Sequence, residues 1–261
     1  MAFETQIGLA LSGGGMRGMA HVGVIAAMRE YKIEADIVSG TSIGSVVGAM
    51  YSAGISTDQM LNFFRAISIF SFRNYSFSKP GLLDPERFRS KLLAVFPHDS
   101  FTELDKELYV SVTNLLTGKN RLIESGSLTT ALMCSSAIPG VFSPMKVGKS
   151  FYSDGGLTNN YPIEPLHSRC QFIVGSYVNP LIKLKYDKKF KNTLALFDRA
   201  MVISTYRMEF PSFHIADVFV MPEELHRIPT LSLKHIDHAF EIGYTETKKK
   251  IESYLLTNDL P

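Results

Sequence analysis

The chain has 261 residues, is 45% hydrophobic and carries a formal net charge of +2. That is enough apolar material for one α/β core, with too little charge to attract a polyanion. Its two cysteines, Cys134 and Cys170, make no disulfide framework, and no stretch reaches the ~18 apolar residues of a membrane span. The first element is an apolar strand, Ile7-Gly8-Leu9-Ala10-Leu11, followed by Ser12-Gly13-Gly14-Gly15-Met16-Arg17-Gly18. Consecutive glycines at a strand end let backbone N–H groups converge without Cβ interference, forming a nest for negative charge. A helix opens at Met19 and runs to about Arg29. Gly13, Gly15 and Gly18 also fit a dinucleotide fingerprint, with Glu34 at about the spacing of its ribose-binding acid. That acid belongs at the carboxyl end of the second strand, whereas Glu34 and Asp36 lie before it or at its start.

The second strand reads as Asp36-Ile37-Val38, and Ser45 to Ala53 reads as a helix. Between them stands Gly40-Thr41-Ser42-Ile43-Gly44, a nucleophile-elbow arrangement in which Gly40 and Gly44 permit the sharp turn. The following helix points its positive end at Ser42, favouring an alkoxide and an oxyanion beside it. Alone, the pentapeptide also fits a helix-capping turn. Both glycine clusters, however, fall at the carboxyl ends of adjacent strands and are expected to face one crevice.

A less regular insertion spans about 56–105. Met60, Phe63, Phe64 and Ile67 fall at helical spacing and suit a helix that buries one face. Phe70, Phe72, Tyr75 and Phe77, with Arg65, Arg73 and Lys79 nearby, suit a lid or an acyl-chain surface at a lipid interface. Strands follow at Glu107 to Thr113 and Asn120 to Glu124, then a helix from Ser127 to Ser136 with Ser127 as its cap. Lys149 to Tyr152 is strand-like and runs into Ser153-Asp154-Gly155-Gly156. Gln171 to Tyr177 is a buried strand, and Leu181 to Lys191 is a lysine-rich loop that could instead touch an anionic membrane. Thr193 to Glu209 is a helix, Asp217 to Met221 a strand, and Ile236 to Leu255 the last helix.

Gly13-Gly14-Gly15-Met16-Arg17-Gly18, Gly40-Thr41-Ser42-Ile43-Gly44 and Asp154-Gly155-Gly156, in that order, resemble the patatin-like phospholipases. Cys134 to Pro144 and Leu157 to Pro162 continue the likeness, which covers roughly 5–180. The resemblance implies one domain over 1–261 with a three-layer α/β fold. A mostly parallel central sheet would carry helices on both faces, with the insertion following the nucleophile helix. It also implies a Ser–Asp dyad: Ser42 as nucleophile, Asp154 as proton acceptor, and an oxyanion hole within Gly13, Gly14, Gly15, Met16, Arg17 and Gly18. Amides around Gly14, Gly15 and Met16 are the candidate donors, and Arg17 supports the loop or substrate, or forms a surface salt bridge. Gly155 and Gly156 support the acidic motif. A free aspartate with a pKa of about 3.9 is a weak base, so the dyad depends on geometry, oxyanion stabilisation and burial of Asp154.

The rival mechanism is a triad. His214, His226, His235 or His238 could complete the order Ser–acid–His after Asp154, yet Ser42 follows only the second strand, too early for an α/β-hydrolase elbow. His21, one turn into the first helix, suits a packed core position, and His235 and His238 suit partial exposure. The expected activity is that of a phospholipase A or lysophospholipase working through an acyl-enzyme, with an acyl lipid as substrate. No metal or other cofactor is expected, because no calcium-loop pattern is present. Nucleic acid is not an expected partner, since no basic face is interleaved with stacking aromatics. With no basic n-region or adequate h-region at its start, the chain is expected to be cytoplasmic, with transient contact at a membrane surface. A lipid-binding relative without turnover is the alternative from another class, although a drifted site tends to lose at least one motif.

Overall fold

The computed structural model describes residues 6–66, 85–184, 193–230 and 233–260. Its sheet is built from β1 (Ile7–Leu11), β2 (Ile37–Thr41), β3 (Glu107–Asn114), β4 (Lys119–Ile123), β5 (Met145–Val147), β6 (Ser150–Asp154), β7 (Phe172–Ser176) and β8 (Val218–Val220). The order is β5-β6-β3-β2-β1-β7-β8, with β4 also pairing to β3. Pairs among β3, β2, β1, β7 and β8 are parallel, and those made by β4, β5 and β6 are antiparallel.

Alternation along the central strands sends side chains to two cores. Leu9, Leu11, Val38 and Val174 join one apolar cluster, whereas Ala10, Ile37 and Ile173 join the other. The first cluster lies under α1 (Met19–Glu30), α2 (Ile43–Ser52), α3 (Thr57–Ala66), α4 (Pro85–Val95), α5 (Leu128–Ser135) and α8 (Ile236–Leu255). The second lies under α6 (Glu164–His167) and the turn of Phe210–Ile215 that follows α7 (Thr193–Glu209). With both faces covered, β1, β2 and β7 are buried almost throughout. Helices α1 and α8 cross so closely that a Cβ on Gly23 would strike the Phe240 carbonyl, and one on Gly243 the Ala20 carbonyl.

One register places the site. Strand β4 occupies one edge of β3 from Val110 to Asn114, so β2 and β6 must share the other edge. Thr41 of β2 is opposite Ser111, and Asp154 of β6 is opposite Val112. The two strands run in opposite directions and meet end to end. Ser42, the residue after Thr41, is therefore delivered to Asp154.

Several elements differ from the sequence-based expectation, which included neither β5 nor α6. Strand β2 runs on to Thr41 rather than stopping at Val38, because Ser39 and Gly40 keep pairing with Ala10 and Leu11. Within the insertion, α4 is a regular helix whose Phe88 and Leu92 enter the main core. Met60, Leu61 and Phe64 of α3 are buried, as the one-sided helix requires.

Candidate active site

Ser42 sits where β2 turns into α2, at φ 54° and ψ −124°, a left-handed conformation that costs a non-glycine residue on the order of 1–3 kcal/mol. Its surroundings hold it there. The Ser42 N–H donates to Ser135 Oγ (2.8 Å), whose hydroxyl donates to the Ser111 carbonyl (2.7 Å). The Ser42 carbonyl accepts from the Ser45 hydroxyl (2.6 Å) and from the Ser45 and Val46 amides. The flanking glycines are a packing requirement: a Cβ on Gly40 would lie 2.6 Å from the Gly44 carbonyl carbon, and one on Gly44 would strike the Leu11 carbonyl.

Asp154 is buried and lines the same cavity as Ser42. The Gly156 N–H donates to Asp154 Oδ1 at 2.8 Å. Burial raises the Asp154 pKa to about 6, against the lowering effect of the Ser42 side chain and the Gly156 amide. The carboxyl group thus remains largely ionised at neutral pH while binding a proton more readily than a free aspartate.

The glycine loop borders the same crevice. A Cβ on Gly13 would lie 3.3 Å from Ser42 Cβ, so this loop passes directly beside the serine. The Gly13 N–H donates to the Asn160 carbonyl (3.0 Å) and the Met16 N–H to the Thr230 carbonyl (2.7 Å). Those amides are occupied, which removes Met16 from the expected donors. Gly14 and Gly15 N–H have no partner among the described residues, and both residues line the cavity with Ser42 and Asp154. Gly15 has φ 55°, and any side chain there would collide with Thr230.

Arg17 is not a surface salt bridge. It is buried, donating through Nε to the Ile228 carbonyl (2.8 Å), through Nη1 to Asn179 Oδ1 (3.0 Å) and through Nη2 to Asp198 Oδ2 (3.2 Å). Burial lowers its pKa from the ordinary value, and Asp198 opposes that shift. Asn179 Nδ2 donates to the Gly13 carbonyl at 2.9 Å, and Thr230 hydrogen-bonds Asp198. Glu209, also buried, accepts from the Asn160 N–H at 2.6 Å, and its pKa is raised to about 7 by burial.

His21 is fully buried beneath the loop. Its Nε2–H donates to the Ser12 carbonyl and its Nδ1 accepts from the Ser176 hydroxyl, both at 2.8 Å. Burial lowers its pKa to about 4, so it stays neutral and serves as a strut. His226 borders the cavity, but its Nδ1 donates to the Glu223 carbonyl at 2.6 Å.

The crevice opens into a cavity of about 730 Å³. Beside Ser42 and Asp154, its apolar wall is formed by Ile138, Val141, Leu157, Ile182, Leu184 and Val202. A space of this size and lining suits a substrate with an apolar chain.

The model of the patatin-like phospholipase family matches residues 9–167. The chain belongs to that family. An uncharacterized NTE family protein of Mycobacterium tuberculosis is 32% identical to this patatin-like chain over 164 residues, which cover 62% of this chain and 45% of the relative. Lysophospholipase NTE1 of Pyricularia oryzae is 29% identical over 168 residues, covering 62% of this chain and 11% of that protein. The chain therefore spans less than half the length of these relatives. The crystal structure of VipD from Legionella pneumophila matches with a TM-score of 0.59 at 15% identity, covering 97% of this chain and 68% of VipD, and shares the fold.

In this patatin-like structure Ser42, Asp154 and the glycine loop come together, and Gly155 and Gly156 form the turn that follows the acid. The expected lid residues Phe70, Phe72, Tyr75 and Phe77 lie outside the described residues, as do Lys185, Lys188, Lys189 and Lys191. Sequence reasoning missed Ser135, Asn179, Asp198, Glu209 and Thr230. Asn179 alone had a local signal, a polar residue just beyond the carboxyl end of a buried strand, where α/β sheets bind ligands.

Proposed function

We propose that this protein is a serine acyl-ester hydrolase of the phospholipase A or lysophospholipase type, working as one domain through a Ser42–Asp154 dyad. The end-to-end meeting of β2 and β6 on β3, which puts Ser42 and the buried Asp154 carboxyl group in one crevice, is the observation that carries this reading. Ser42 Oγ attacks the ester carbonyl carbon as its proton passes to Asp154. The carbonyl π pair moves onto oxygen, where the free N–H groups of Gly14 and Gly15 and the positive end of α2 oppose the new charge. Collapse of the tetrahedral species breaks the bond to the leaving alcohol, which takes the proton from Asp154. Water, deprotonated by the same carboxylate, then attacks the acyl-enzyme and releases the fatty acid. The apolar wall of the cavity receives the acyl chain.

Support for a lipid substrate comes from the family match, the named lysophospholipase relatives and the apolar cavity. Among the described residues no helix is long and apolar enough to cross a membrane, so action at a lipid surface is the arrangement proposed. The test measures fatty-acid release from phospholipids, lysophospholipids and short esters, with Ser42→Ala in parallel and fluorophosphonate labelling of Ser42. Labelling together with lipid turnover that the mutation removes is the expected result. Absence of both labelling and turnover would favour a lipid binder without catalysis.

A further inference from the structure

Helix α7 has a second unusual face. Val202, Thr205 and Glu209 point inward and are buried. On the opposite side Leu196, Ala200, Ile203, Arg207 and Phe210 recur at intervals of four, three, four and three, one continuous stripe along the helix and its first following turn. All five are exposed, Leu196 at 56% and Phe210 at 58%. Phe197 and Met208 flank the stripe and are also substantially exposed. A surface helix ordinarily turns polar residues to water, and one that is apolar on both sides calls for a covering.

The charges left beside this face are basic. Asp198, half-buried, is engaged by Arg17, and Glu209 is buried against Asn160, which leaves exposed Arg207 and half-buried Arg199 as the other ionised groups of α7. Arg199 donates to the Ile182 carbonyl at 2.9 Å, which brings exposed Lys183 alongside. The carboxylates Glu223 and Glu224 belong to a separate turn. The stripe also adjoins the catalytic cavity: Phe197 lies beside Leu196 and lines it together with Met201.

We propose that the outer face of α7 seats the protein on an anionic phospholipid bilayer, with Phe197 at the edge where the cavity meets the lipid. The purpose of this seat rests on the lipid-hydrolase reading, since an acyl chain would leave the bilayer beside Phe197 and enter the cavity. Apolar side chains enter the interface, and Arg207 meets headgroup phosphates.

The test is cosedimentation of the protein with vesicles of phosphatidylcholine alone and of phosphatidylcholine containing phosphatidylglycerol. Wild type should bind the mixed vesicles, with binding that weakens in high salt. Replacing Leu196, Ile203 and Phe210 by Glu should reduce the partition at least about tenfold, and Arg207→Gln about fivefold on mixed vesicles only. Leu116→Glu, on the exposed β3–β4 turn outside the α7 face, should bind as wild type does. Vesicle binding unchanged by the α7 substitutions, or lost equally with Leu116→Glu, overturns the proposal. So does a dimer that the α7 substitutions convert to monomer, which would make a second copy the occupant. Turnover of a monomeric short ester is read in parallel. It should stay at the wild-type kcat/KM in the α7 variants, whereas its absence in wild type would count against the hydrolase and leave the vesicle result to stand on its own.

Discussion

Asp154 and Glu209 hold the two ends of one loop, and they come from different elements of the fold. Asp154 ends β6 and shares the crevice with the Ser42 hydroxyl group, while Glu209 ends α7 and receives the Asn160 amide. Burial raises both carboxyl groups, one to about 6 and the other to about 7. The partner decides what each can do. A serine hydroxyl can surrender its proton to a carboxylate as it attacks a carbonyl, whereas a backbone N–H can only be held. The proposed reacting groups thus lie between Gly13 and Asp154, and Asn179, Asp198, Glu209 and Thr230 from the segment beyond help to keep the reacting loops still.

The largest break in that division should come from Ser42→Ala, which should lower kcat by at least roughly 10⁴-fold with the fold intact by circular dichroism. Retained turnover would remove the central claim. Asp154→Asn comes next, with a loss of roughly 10²–10⁴-fold, because an amide cannot accept the proton. The wild-type pH profile sharpens the same point. Since Asp154 must be ionised to act, kcat/KM should fall about tenfold per pH unit below about 6. His21 is already neutral there, with its pKa lowered to about 4, so it does not supply this limb.

The same substitution should raise stability. Between pH 3.8 and about 6 the folded protein keeps a proton on Asp154 that the unfolded chain releases. Stability therefore falls as pH rises through that window and stays reduced above it. Asp154→Asn should gain about 2–3 kcal/mol at pH 8 and little at pH 3.5, read from urea midpoints. No gain at pH 8 would mean that Asp154 is better solvated than its burial indicates.

Arg17→Met acts from the holding side. It leaves Asn179, Asp198 and the Ile228 carbonyl without their donor, at a cost of about 2 kcal/mol. Because the loop it steadies carries the free Gly14 and Gly15 amides, kcat should fall roughly tenfold with KM little changed. A rise in KM alone would instead make Arg17 a substrate-binding group.

The reacting segment was legible because its demands are local. Gly44 must pass the Leu11 carbonyl and Gly15 must adopt φ 55° beside Thr230, so glycine is written into the chain at those positions. Strand β2 ran further than its apolar core suggested, since Ser39, Gly40 and Thr41 are held by ladder pairing rather than by hydrophobicity. The holding contacts could not be read in this way. Arg17 reaches Asn179, Asp198 and Ile228 across sequence separations of 162, 181 and 211, and no periodicity records such contacts. Helix α4 escaped notice for a related reason: its apolar Phe88 and Leu92 stand among Arg87, Arg89 and Lys91 and become a core face only when packed on α5.

Glu209→Gln should have the smallest effect on turnover and is the cleanest separation of the two carboxyl groups. Glutamine keeps an oxygen that can accept from the Asn160 N–H, so kcat should stay within about threefold of wild type. Its stability should change with pH in a predictable direction. Glu209 has an ordinary value of 4.5 and a folded value of about 7, so the folded state holds the extra proton across that window. Wild-type stability therefore declines from pH 4.5 to 7, and the variant should lose this part of the decline, gaining at pH 8 but not at pH 4. If kcat instead collapses while stability rises, the charge on Glu209 contributes to the chemistry as well as to the loop. The division between a reacting carboxylate and a holding one would then fail at the residue where it is drawn.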